Sequence, residues 1–157
     1  MACVDLNCAK PGTVKVGQVQ VSIDHTWIGD LTMKLFSPGN AKILTLMSMP
    51  GVAEPADNGT GNSFEGSNIA KAFPVIYRDG GMKDAESMGS TVLNSEVVCK
   101  DDLACDYFPN KGAAATLGKF SDLAGTASSG IWKFCIGDSQ PGDFGTIDKI
   151  KLTLILQ

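Results

Sequence analysis

Alternation of apolar and polar residues is the feature that most constrains the fold of this chain. It is clearest in residues 132–136 and 150–156, where every second side chain is apolar. Successive side chains of a β-strand point to opposite faces, so a period of two indicates strands with one buried face. Residues 18–24 and 31–35 alternate in the same way and residues 41–47 form an apolar run, so three further strands are predicted.

The middle of the chain predicts loops and short strands. Between Pro50 and Gly130 it is rich in Gly, Asn, Asp and Ser, with short apolar patches such as residues 72–77. No window shows a sustained helical period, and the chain contains 18 glycines. At 157 residues it fits one domain. We therefore predict a single all-β domain, a β-sandwich of jelly-roll type.

Charge and hydropathy exclude two classes of partner. The chain carries 13 Lys and Arg against 17 Asp and Glu, a net charge of −4, and no basic cluster that could follow a phosphate backbone. Apolar runs such as residues 43–47 fall far short of the ~20 residues that cross a bilayer. We expect neither nucleic acid nor a membrane as a partner.

Five cysteines are many for a cytosolic chain of this size, and they lack the paired spacing of a zinc site. Disulfides and a secreted or periplasmic origin are predicted. Cys99 and Cys105 bracket a short polar loop, and we predict a bond between them. The pairing of Cys3, Cys8 and Cys135 stays open. Alternation predicts that the side chain of Cys135 points away from the core. Because no signal peptide is present, we expect the chain to be excised from a longer precursor.

Four segments carry a resemblance to a known family. They are His25-Thr26-Trp27-Ile28-Gly29-Asp30-Leu31, the turn Ser37-Pro38-Gly39, residues 130–138 and residues 142–147. In order and spacing they resemble the P domain of proprotein convertases, most closely the bacterial P domains at the C-terminus of secreted proteases. The resemblance divides the chain into an N-terminal segment, residues 1–13, and a P domain, residues 14–157.

This resemblance implies a jelly-roll β-sandwich without catalytic activity. Such domains pack against or follow a protease catalytic domain in the same parent chain. That catalytic domain is often a subtilisin-like serine endopeptidase and sometimes a metalloprotease. The P domain stabilises the enzyme and can modulate its calcium dependence or its contact with substrate protein. The resemblance therefore implies that the parent is a secreted hydrolase and that this chain alone is not an enzyme.

His25 is the single histidine of the chain and could serve as a general base. Serine hydrolases pair such a histidine with a serine on a strained, glycine-framed turn, and no Gly-x-Ser-x-Gly sequence occurs here. We assign no catalytic residue. His25 is predicted to order the loop before the strand at residues 31–35, and Asp30 is predicted to accept hydrogen bonds in that turn.

Two acidic loops are candidates for structural calcium. Residues 138–148 contain Asp138 and Asp143, and residues 79–86 contain Asp79 and Asp84. Calcium takes several oxygen ligands, and the glycines of the first loop let backbone carbonyls turn toward its acids, whereas Arg78 and Lys83 partly cancel the charge of the second. Neither loop has the spacing of an EF-hand. The alternative is that these carboxylates accept backbone N–H groups within turns.

A free-standing extracellular module that binds carbohydrate or protein is the alternative function, because jelly rolls also carry lectin-like sites. Carbohydrate sites display exposed aromatic rings. The aromatic candidates for exposure are Trp27, Phe36, Tyr77, Tyr107 and Phe108. Residues 54–67 are predicted to be an exposed loop, and it contains Asn58-Gly59-Thr60, an N-glycosylation pattern that would stay bare in a bacterial product.

Overall fold

The computed structural model describes residues 1–52 and 66–157, and it confirms an all-β sandwich. Helical structure in these residues is limited to four short 3-10 helices, Ile28–Asp30, Pro38–Asn40, Ala85–Ser87 and Phe120–Leu123. None of the helices in the described ranges is long and apolar enough to cross a membrane. The strands are β1 (Ala2–Cys8), β2 (Val14–His25), β3 (Leu31–Phe36), β4 (Ile43–Ser48), β5 (Val75–Arg78), β6 (Lys83–Asp84), β7 (Asp106–Phe108), β8 (Gly130–Asp138) and β9 (Gly145–Leu156).

One sheet has four strands in the order β1-β8-β3-β4, and each neighbouring pair is antiparallel. The N-terminal residues form its edge strand, so the segment before Val14 is part of the sandwich. Cys3 lies directly opposite Cys135 in the pairing of β1 with β8.

The other sheet has five strands in the order β6-β7-β5-β2-β9. The 12-residue strands β2 and β9 pair antiparallel along nearly their whole length, with irregularities between Val14 and Val16 and between Ser22 and Ile23. By contrast, β7 runs parallel to both of its neighbours, β5 and β6. The strand β9 is the edge of this sheet.

The core lies between the sheets and is built from the predicted alternating residues. Trp132 and Phe134 of β8 are fully buried, as are Val19 and Val21 of β2. Burial of a large apolar side chain stabilises the fold by about 1.5–3 kcal/mol. The buried indole of Trp132 donates from Nε1 to the carbonyl oxygen of Ser128 at 2.9 Å, so its polar group is satisfied.

Tyr77 and Tyr107 also belong to the core, which corrects their selection as exposed aromatic candidates. Both are fully buried, and their ring centroids lie 6.4 Å apart. They occupy β5 and β7, neighbouring strands whose parallel pairing places the two rings on the same face of the sheet. Of the five candidates, Phe108 is the exposed one, at 37%.

Two disulfides are present among the described residues. Cys99 bonds Cys105, the predicted pair, and Cys3 bonds Cys135, which leaves Cys8 as a thiol. Cys135 lies on the strand face opposite to Trp132 and Phe134, as predicted, but its side chain is buried. Cys135 is 3% exposed because the bond to the edge strand β1 covers it.

Two loop predictions change in detail. The last two strands are joined by residues 139–144, because β8 continues to Asp138 and β9 begins at Gly145, so Asp148 lies within a strand. Of the predicted exposed loop at residues 54–67, Ser67 is fully buried. The glycosylation pattern at residues 58–60 lies outside the described residues.

Candidate functional site: a cleft at the open edge of the sandwich

The candidate site is a cleft of about 470 Å³ where the edge strands of the two sheets part. The start of β1 and the end of β8 form one wall, and the end of β2 and the start of β9 form the other. Mainly apolar side chains line its interior, namely those of Val4, Ile23, Leu31, Ile136 and Ile147. The polar lining side chains are those of Asp24, His25, Asp138 and Thr146.

His25 is almost completely buried in the wall of the cleft, with 4% of its side chain exposed. Its Nε2 lies 3.3 Å from Oδ2 of Asp138. Its Nδ1 lies 3.1 Å from the backbone nitrogen and 2.9 Å from the carbonyl oxygen of Trp27. Because a carboxylate only accepts, Nε2 is the donor in the contact with Asp138, while Nδ1 faces the backbone of Trp27.

This arrangement ties three segments together and leaves both ring nitrogens of His25 engaged. Nδ1 orders the turn that leads into β3, and Nε2 joins the end of β2 to the end of β8. A general base needs a ring nitrogen directed at the proton that it removes. The contacts of His25 are therefore those of a structural histidine.

Gly145 allows the histidine to lie against β9. A Cβ at this position would come within 2.5 Å of Cδ2 of His25 and 2.6 Å of the carbonyl oxygen of Asp24. These distances are shorter than any van der Waals contact between heavy atoms. The first residue of β9 must therefore be glycine if His25 is to occupy its place.

Asp143 and Asp138, predicted as calcium ligands, both accept hydrogen bonds beside the cleft, at the connection 139–144. Oδ1 of Asp143 accepts from the Thr26 hydroxyl at 2.7 Å. Oδ1 of Asp138 accepts from the backbone N–H of Gln140 at 3.1 Å. Asp30 is 3% exposed, and its carbonyl oxygen accepts from the N–H of Ser139 at 3.0 Å.

Asp79 of the second predicted calcium loop serves the backbone of a different segment. Its two carboxylate oxygens accept from the N–H groups of Phe120 (2.5 Å) and Ser121 (2.8 Å), at the start of a 3-10 helix. Such bonds satisfy donors that a helix start leaves without partners.

Asp84 has its own set of partners. Its Oδ1 accepts from the N–H of Glu86 at 3.0 Å and from Nδ2 of Asn110 at 2.8 Å. Asp79 and Asp84 therefore accept hydrogen bonds from separate segments, and calcium at the second loop stays a prediction.

At the first loop, calcium would depend on few carboxylates. Within residues 1–52 and 66–157, no three Asp, Glu, His or Cys side chains lie close enough to hold a metal ion. A calcium ion there would have to complete its coordination with backbone carbonyl and water oxygens beside Asp138 and Asp143. Calcium binding stays a prediction.

The cleft itself has no local signal in the sequence. Asp24 and Thr146 line it through long-range pairing, since they lie opposite each other in β2 and β9. The motifs around His25 and Asp138 mark two of its walls, but their contact spans 113 positions of the chain. A sequence pattern can place each motif on an element without showing that the two elements meet.

Comparisons with known proteins give a family match over part of the chain. A family model, the proprotein convertase P-domain, matches residues 14–65. No curated protein matches the chain.

Two solved structures resemble the chain at low identity. The serine protease of Aeromonas sobria has 16% identity and a TM-score of 0.42, with 98% of this chain and 20% of that chain covered. The complex of that protease with its chaperone has 15% identity, the same TM-score and the same coverage. The chain thus spans about a fifth of the length of these solved chains. Similarity at this level says nothing about activity.

The family match covers β2, β3 and β4, including the first two of the four segments on which the resemblance rests. Over residues 14–65, this chain matches the P-domain family of the proprotein convertases, as its sequence motifs predict.

Proposed function

We propose that this chain is the accessory P domain of a secreted protease, of the subtilisin-like serine type, and that it stabilises the catalytic domain by packing against it. The match to the P-domain family over residues 14–65 carries the proposal. The partner is the catalytic domain of the same parent chain, and contact with substrate protein is a second role. The two disulfides support an oxidising, extracellular location.

The chain by itself is proposed to lack proteolytic activity. The engaged imidazole of His25 supports this, because Nε2 contacts Asp138 and Nδ1 contacts Trp27. A serine hydrolase directs the imidazole at a serine hydroxyl and its Nδ1 at a carboxylate. Here the carboxylate contact is on Nε2, the nitrogen that would face the nucleophile.

Two measurements test the proposal. The purified chain should not digest casein, and proteolysis that a serine-protease inhibitor blocks would contradict the claim that it is not catalytic. In the parent protein, deletion of the sandwich should shorten the half-life of activity on heating, since an interface with the native catalytic domain stabilises it. An unchanged half-life would contradict the stabilising role.

The cleft disfavours a carbohydrate-binding module. Sugar sites stack their ligands on aromatic rings, and no Trp, Tyr or Phe is among the described residues that line the cleft. Tyr77 and Tyr107 are unavailable because they are fully buried. If the chain were a free-standing binding module, the chemistry of the cleft would favour a protein ligand over a carbohydrate.

A further inference from the structure

The cleft between the sheets has the size and lining of a binding site. Its volume of about 470 Å³ lies within the roughly 300–1,000 Å³ of typical ligand pockets. Its floor is aliphatic, and its polar groups are gathered where the ends of β2 and β8 meet. Aliphatic floors with few polar groups bind apolar groups and select them by the polar contact at one end.

The charge of the lining favours a cation. The described lining contains the carboxylates of Asp24 and Asp138 and no Lys or Arg, and Met1, which bears the α-ammonium group, also lines it, so the acidic charge is in excess. Asp24 is already paired with Lys71 at 3.3 Å. Asp138 is 33% exposed at its side chain, and its ion-pair contact among the described residues is His25. Asp138 is therefore the carboxylate that a ligand of fixed positive charge would reach.

The walls of the cleft favour a polypeptide as the carrier of that charge. Ala2–Val4 of β1 and Gly145–Ile147 of β9 line it, and both strands are edges of their sheets. An edge strand presents backbone N–H and C=O groups to which an extended segment can add. A long cationic side chain can lay its aliphatic stem on an apolar floor and keep its charged end at a polar rim.

We propose that the cleft docks an extended peptide segment in which aliphatic residues lie two positions before and two positions after a Lys or Arg, on the same face of the segment, with the cationic group at Asp138. The aliphatic residues and the stem contact Ile23, Leu31 and Ile147, and the peptide backbone pairs with the edge of β1 or β9. The inference goes beyond association with a catalytic domain and does not require one.

The test uses the whole chain and a defined probe. The peptide Val-Thr-Arg-Thr-Val, acetylated and amidated, presents both valines on the same face as the arginine and is titrated by isothermal calorimetry in EDTA, so that no divalent cation screens Asp138. The matched control peptide carries citrulline, which keeps the shape of arginine without its charge. We expect the citrulline peptide to bind about tenfold more weakly, the loss typical of a charge-assisted contact.

Variants assign the contact to one carboxylate. Asp138→Asn should weaken binding of the arginine peptide about tenfold and leave the affinity for the citrulline peptide unchanged, because the lost interaction is between two charges. Asp5→Asn removes the same charge from an exposed residue of β1 that pairs with Lys133 and does not line the cleft. This variant should leave the affinities for both peptides unchanged.

Three results would overturn the proposal. These are equal affinities for the two peptides, no binding at millimolar arginine peptide, and binding of acetyl-arginine amide as tight as that of the pentapeptide, which would make the ligand a small molecule. Should Asp138→Asn fail to fold, the two peptides on the unaltered chain decide the question. Because the catalytic domain is absent from the titration, failure here leaves the proposed accessory role untouched.

Discussion

Tyr77 shows how a polar group can lie in the core with weak partners. Its hydroxyl is fully buried and contacts the sulfurs of three methionines, Met33 (3.8 Å), Met47 (3.5 Å) and Met88 (3.7 Å). Thioether sulfur is a weak acceptor. Loss of hydration on burial raises the pKa of Tyr77 far above its ordinary value, so the phenol keeps its proton and donates it to sulfur. By contrast, the hydroxyl of Tyr107 donates to the carbonyl oxygen of Ala104 at 2.9 Å.

Removal of the two hydroxyls should therefore have different effects on stability. Tyr77→Phe is expected to change the free energy of unfolding by less than about 0.5 kcal/mol, because only weak bonds to sulfur are lost. Tyr107→Phe is expected to lower it by about 1–1.5 kcal/mol, since the carbonyl group of Ala104 loses its donor. Urea unfolding of both variants measures the difference, and equal losses would contradict the ranking.

At the scale of elements, β1 depends on a single covalent tie. It is an edge strand with β8 as its neighbour, and the bond from Cys3 to Cys135 crosses that pair. The bonded cysteines are 132 positions apart, whereas Cys99 and Cys105 are 6 apart. The first bond therefore restricts a far longer loop of the unfolded chain than the second does.

The two disulfides should contribute unequally to stability. In the chain-entropy model, removal of the bond between Cys3 and Cys135 costs about 5 kcal/mol, and removal of the bond between Cys99 and Cys105 costs about 2.5 kcal/mol. The double variants Cys3→Ser with Cys135→Ser and Cys99→Ser with Cys105→Ser, compared by urea unfolding, measure both costs.

Cys8 provides the control for these variants. It is the free thiol among the described residues, so Cys8→Ser removes sulfur without opening a loop. We expect it to change stability by less than either double variant. A larger loss from the short loop than from the long one would show that native contacts, not loop length, decide the ranking.

At the scale of the whole molecule, calcium is the open prediction. We expect chelation to lower the melting temperature of the chain equilibrated with calcium, because an ion bound only to the native state stabilises it. Asp143→Asn should abolish this difference, since its carboxylate lies on the first loop. Asp84→Asn should preserve the difference when the ion is at the first loop, and loss of the difference in this variant would place the ion at the second loop. An unchanged melting temperature after chelation would contradict the prediction that this chain binds calcium.

Alternation predicted the long strands, in which one face is buried. It did not predict the burial of residues that are covered by other segments of the chain. The alternation at Trp132 and Phe134 predicted β8 because their burial repeats every two residues. The parallel strand β7 has three residues, too few for a periodic signal. Tyr77 and Tyr107 cover each other across β5 and β7, so their burial could not be read from either segment alone.

Local patterns of residues were enough to predict the all-β class, the long strands, the bond between Cys99 and Cys105 and the family resemblance, because each depends on neighbours close along the chain. The position of β1 at the edge of the four-stranded sheet, bonded through Cys3 to Cys135, became evident from the three-dimensional structure. The three-dimensional structure also showed that His25 meets Asp138 across 113 positions and that a cleft opens between β1 and β9. Contacts at such separations depend on how the two sheets stack, and a local pattern of residues carries no information about that.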